Sequence, residues 1–101
     1  MRSAFLWCPP TDIYETLDAI IIVIELAGVA DEDMAVTLFS DLLVVEGTRE
    51  QSLTDMSACH QLQIKHGDFR AEVAIHALVD HGNVKVDYKN GLLKIILQKL
   101  D

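Results

Sequence analysis

The chain reads as an all-β protein, an immunoglobulin-like β-sandwich of seven or eight antiparallel strands. Three observations carry that reading. Two apolar-rich runs, 84–89 and 92–99, flank Asn90-Gly91, a pair whose residues both tolerate the positive φ of a tight hairpin turn. The run Ile20-Ile21-Ile22-Val23-Ile24 is dense in β-branched residues and has no helical period. Short apolar runs then recur at regular spacing between turn residues, with no convincing helix among them.

Taken in order, residues 1–10 form an arm, because Pro9-Pro10 forbids helix and favours an extended chain; Phe5, Leu6 and Trp7 should dock on something. Residues 12–16 alternate as a short strand, placed at an edge by the preceding prolines. Leu17-Asp18 turns the chain into 19–27, whose unbroken apolarity predicts burial on both faces. Gly28 punctuates it, and Asp31-Glu32-Asp33 is a solvated turn or a single helical turn. Met34, Val36 and Leu38 alternate with Ala35, Thr37 and Phe39, a strand with one better-buried face. Ser40-Asp41 makes a hairpin turn into 42–47. Residues 48–58 are polar and aperiodic, the longest loop. A strand follows over 59–65 with Leu62 and Ile64 on one face, ended by Gly67. Another covers 68–75 with Phe69, Ala71, Val73 and Ile75 on one side. Residues 79–83 lead to the final hairpin, where Val84, Val86 and Tyr88 alternate with Lys85, Asp87 and Lys89. In its second strand Leu93, Ile95 and Leu97 share one face, while Leu92, Ile96, Gln98 and Lys94 share the other. Apolar side chains on both faces predict that something covers this strand's sheet.

At 101 residues the chain makes one domain, an arm over 1–10 and a sandwich over 11–101. Half of its residues are hydrophobic and the mean hydropathy is +0.25, so either the core is generous or apolar surface is hidden against a second chain. No apolar run approaches the roughly 20 residues that span a bilayer, and the N-terminus lacks the order of a secretory signal. The expected location is cytoplasmic, with no membrane partner. A net charge of −8 and eight scattered Lys and Arg argue against nucleic acid. Cys8 and Cys59 make no disulfide framework and fit a reduced compartment. The four histidines and two cysteines match no metal-ligand spacing. No oxyanion hole, Gly-rich phosphate loop or paired carboxylates can be defended. The expectation is a non-enzyme without cofactor or metal. What stands out instead is apolarity on strands 34–39 and 84–88, which predicts a shallow groove that accepts extended apolar segments by packing and strand addition.

Motifs in order then resemble those of one family. Pro10-Thr11-Asp12-Ile13-Tyr14-Glu15-Thr16 looks like its opening strand. Glu25-Leu26-Ala27-Gly28-Val29 with Glu32-Asp33 resembles its E-L-P-G-V…E-D segment, and Leu43-Val44-Val45-Glu46-Gly47-Thr48-Arg49 its L-x-I-x-G-x-R. Gly67-Asp68-Phe69, Val79-Asp80 and Tyr88-Lys89-Asn90-Gly91-Leu92-Leu93 complete the series. The chain is identified by this resemblance as a bacterial-type small heat-shock protein, an α-crystallin domain covering 7–99.

The resemblance implies an ATP-independent holdase that binds partly unfolded proteins and prevents their aggregation. It also implies a homodimer: the loop 48–58 crosses over, and the strand 59–65 pairs with the partner's first strand. The implied dimer interface is Ile13, Tyr14, His60, Leu62 and Ile64, and the implied client or tail-binding groove is Val36, Leu38, Val84 and Val86. A same-fold interaction module of co-chaperone type, with little holdase activity, is the competing reading. Departures are visible. Ala27 and His76 replace prolines, Val86 stands where alanine is usual, and Gln63 and Ala71 replace a Glu and Arg pair. Arg70, one residue away, should face the opposite side. The short ends, without a long arm or an I-x-I tail, predict dimers or small assemblies rather than shells.

Overall fold

The structure is a computed structural model and describes residues 6–51 and 53–100; Phe5 lies outside these. Seven strands follow one another: β1 (Thr11–Glu15), β2 (Ala19–Glu25), β3 (Met34–Phe39), β4 (Leu42–Arg49), β5 (Gly67–Ala74), β6 (Val79–Lys89) and β7 (Leu92–Lys99). The only helix among the described residues is one 3-10 turn, Asp31–Asp33. Every pairing between these strands is antiparallel. One sheet has the order β1-β2-β7-β6 and the other β3-β4-β5.

Alternation decides which side chains meet between the sheets. Ile20, Ile22 and Ile24 stand opposite Leu97, Ile95 and Leu93 across the β2–β7 ladder. All six are buried, and they pack on Leu43, Val45, Phe69, Ala71 and Val73 of the second sheet. Each side chain removed from water in this way contributes about 1.5–3 kcal/mol against the entropy of ordering the chain. The β6–β7 hairpin turns on Asn90 and Gly91 with φ of 55° and 77°, the left-handed pair that a type I′ turn requires.

The structure departs from the sequence expectations in three places. The segment 59–65 is not a strand within one chain, because no backbone lies beside it to complete a ladder. Every described residue from Glu50 to Lys65 is exposed. The radius of gyration is 15.7 Å, against about 13 Å for a compact chain of this length. The connection stands off the sandwich as an arm. Second, β6 begins at Val79 rather than Val84, the two stretches joined through a shift of register. Third, the outer face of β7 is not covered: Leu92 is exposed, and Lys94, Ile96 and Gln98 are half-buried. Ala71 points into the core, on the face that alternation gives it with Phe69, Val73 and Ile75. Arg70 does face the opposite side, where it bonds Glu72 at 2.6 Å and Glu46 at 2.7 Å. The Glu72 hydrogen bond, helped by both negative charges, holds its pKa above the ordinary value despite some burial.

Candidate groove and candidate dimer edge

A strand at the end of a sheet leaves alternate N–H and C=O groups without a ladder partner, and such edges accept further strands. The large sheet ends on β1 and β6 and the small one on β3 and β5. The β5 edge is partly covered. The Trp7 N–H donates to the Asp68 carbonyl at 3.2 Å and the Arg70 N–H donates to the Trp7 carbonyl at 3.1 Å. The Trp7 ring sits 5.4 Å from Phe69, tilted. β1, β3 and β6 have no such cover among the described residues.

Between the β3 and β6 edges lies an open groove of about 330 Å³. Val36 and Val86 line it, Val36 half-buried and Val86 50 % exposed. Leu38 and Val84, expected there too, pack against the core without lining this groove. Met34, Tyr88, Leu93, Asp31 and Asp87 line it instead. Period-two spacing could have found Met34 beside Val36 and Tyr88 beside Val86; Leu93 and Asp31 come from a facing strand and turn, which spacing cannot foresee. Tyr88 is fixed by its hydroxyl, which donates to the Leu26 carbonyl at 2.6 Å. The groove thus mixes apolar side chains with the carboxylates of Asp31 and Asp87, is shaped by a held aromatic ring, and is flanked by two strands with open edges.

The second candidate is β1. Ile13 and Tyr14, on opposite faces of that strand, are 55 % and 46 % exposed. On the arm, His60 is exposed, as are Leu62 at 56 % and Ile64 at 72 %. No ladder joins the arm to β1 within a single chain. Two apolar surfaces, an edge strand and a projecting arm, are therefore both left to solvent.

Sequence reasoning missed the root of the arm. Arg49, the last residue of β4, donates from Nε and Nη2 to the Lys65 carbonyl at 2.9 and 2.6 Å. Its Nη1 donates to the Ala27 carbonyl at 3.1 Å. The guanidinium lies 4.4 Å over the Trp7 ring, whose Nε1–H reaches the Gly67 carbonyl at 3.1 Å. The arginine of the L-x-I-x-G-x-R motif was a visible signal; its partners, distant in sequence, were not. Among the described residues no group of three or more His, Cys, Asp or Glu is placed to hold a metal ion, and no helix is long and apolar enough to cross a membrane.

The profile of the Hsp20/alpha crystallin family matches residues 12–101. The chain belongs to that family. It is 34 % identical over 92 residues to Spore protein SP21 of Stigmatella aurantiaca, an alignment covering 90 % of this chain and 54 % of the relative. To Heat shock protein 16 of Schizosaccharomyces pombe it is 28 % identical over 97 residues, covering 92 % and 67 %. The solved structure of Heat shock protein 16.0 from Schizosaccharomyces pombe superposes with a TM-score of 0.90 at 26 % identity, covering 97 % of this chain and 71 % of that one. The hspA structure from Xanthomonas axonopodis gives 0.84 at 22 %, covering 94 % and 96 %. The small heat shock fold thus spans the whole sandwich. The chain spans little more than half the length of the spore protein.

Proposed function

We propose that this small heat shock protein is an ATP-independent holdase that binds extended apolar segments of partly unfolded proteins and keeps them from aggregating. The observation that carries the reading is the groove between β3 and β6. It offers apolar side chains, Met34, Val36, Val86 and Leu93, beside open backbone, which is what an unfolded segment lacks after losing its own sheet. Ordered binders of one partner usually present a closed, complementary pocket; a shallow groove flanked by strand edges selects for extension and apolarity instead.

The same reading makes the chain a homodimer. The arm crosses to a second copy, the segment 59–65 adds to the partner's β1, and Leu62 and Ile64 are buried with Ile13 in the process. Strand addition satisfies the β1 edge and hides the apolar residues that give the chain its high hydropathy. Its location is cytoplasmic in this reading, and no nucleic acid or membrane is a partner.

The test is light scattering of a heat-aggregating client without ATP, with the mass of this protein measured alongside. Suppressed scattering by a dimer is expected. Val86→Asp, a half-exposed position, should reduce suppression severalfold while leaving the melting temperature within the small range of surface substitutions. A monomer without suppression would favour the second reading, a same-fold interaction module of co-chaperone type. Val86 favours that one, since its branched side chain narrows a groove where the family carries alanine. A stable dimer without suppression would remove the holdase reading for this sandwich by itself.

A further inference from the structure

Arg49 touches three separate parts of the chain at the root of the arm. Its guanidinium bonds the Lys65 carbonyl twice, where the arm returns, and the Ala27 carbonyl once, after β2. The Trp7 ring covers its face from below. The β4–β5 ladder places Arg49 opposite Gly67, so the arm leaves and re-enters the sandwich within one pairing of this residue. No lysine could make these contacts: the fork-shaped guanidinium supplies several fixed donors and a flat face, an ammonium neither.

We propose that Arg49 is a positioning residue for dimerisation, which holds the neck of the arm 50–65 in its outward course, and that Trp7 couples the N-terminal segment to that neck. The inference rests on the arm being the dimer element. An arm with a fixed root loses less conformational freedom when it docks on a second copy, so the pin strengthens association without contacting the partner. The coupling to Trp7 runs both ways. A ligand of the N-terminal segment that lifts Trp7 from the guanidinium loosens the neck and weakens the dimer; dimerisation in turn favours the docked Trp7.

The test is the dimer dissociation constant by sedimentation equilibrium for wild type, Arg49→Lys, Trp7→Phe and the double variant, with melting temperature and amide exchange of the arm root measured on each. Arg49→Lys keeps the charge and removes the fork. It should raise the dissociation constant about tenfold, the equivalent of one charge-assisted hydrogen bond, with faster exchange around Lys65 and little change in melting. Trp7→Phe should raise it less, about threefold. The double variant should match Arg49→Lys alone, because the two act through one contact. A wild-type dimer whose dissociation constant is the same in Arg49→Lys would overturn the positioning role. Additive effects in the double variant would overturn the coupling to Trp7. A monomeric wild type would overturn the arm as the dimer element and this inference with it, an outcome recognisable before any variant is made.

Discussion

At Gly47 an added Cβ would lie 2.0 Å from the Asp33 carbonyl oxygen and 2.9 Å from the Phe69 ring. Backbone cannot yield as a flexible side chain can, so Gly47→Ala must push β3 and its 3-10 turn off β4. The expected cost is about 1–3 kcal/mol, read from the urea midpoint; an unchanged midpoint would mean that the turn at Asp31–Asp33 relaxes freely. Gly91 has a different reason to be glycine, its φ of 77°, and Ala27 stands where its Cβ would go. The two glycines also mark the limit of what could be read from sequence. The Asn90-Gly91 turn is a local conformation, and its residues announce it. Gly47 was visible only as part of a motif, because the atoms that exclude a side chain belong to residues 14 positions before and 22 after it. Ala71 is of the same kind. Alternation placed it correctly on one face with Phe69 and Val73, yet only the packed sandwich makes that face the core.

At the scale of elements, the arm separates pattern from structure. Leu62 and Ile64 alternate with polar residues as in any half-buried strand, but alternation describes what a ladder would bury and cannot supply the ladder. The same logic worked for β2, β4 and β7 because their neighbours are in the same chain. A double variant, Leu62→Asp with Ile64→Asp, should leave the melting transition of the sandwich nearly unchanged, since both side chains are exposed in one chain. It should shift the mass measured by sedimentation from dimer towards monomer. Retention of the dimer would place the association on another edge. Leu38 teaches the complementary lesson for the groove. Period two put it on the face of Val36, correctly, while the groove's closure by Tyr88 and Leu93 depends on the hairpin across from it.

For the molecule as a whole, charge bears on assembly. Each copy carries −8, so two copies repel, and salt shortens the reach of that repulsion to about 10 Å at 0.1 M. The family's Glu and Arg positions are held by Gln63 and Ala71, and Arg70 is engaged by Glu46 and Glu72 on its own chain. If the proposed dimer forms along this edge, Gln63 and Ala71 bring no ion pair to it that salt could screen. Dimerisation should be flat or slightly tighter as salt rises, measured as the dissociation constant across a salt series; a steep weakening would show that charged groups hold the interface.

The break of register in β6 sets a limit on what the free edge can hold. Continuous pairing with β7 covers only Val84 to Lys89, and the strand is out of step before that. A segment added along this edge therefore finds an even row of donors and acceptors beside Val84 to Lys89 and then loses it. Short footings are fast to leave, because few bonds must break together. For the holdase proposed above, such a footing would need no fuel to let go: each grip would be brief, and a long unfolded chain would be held by catching it again at another place.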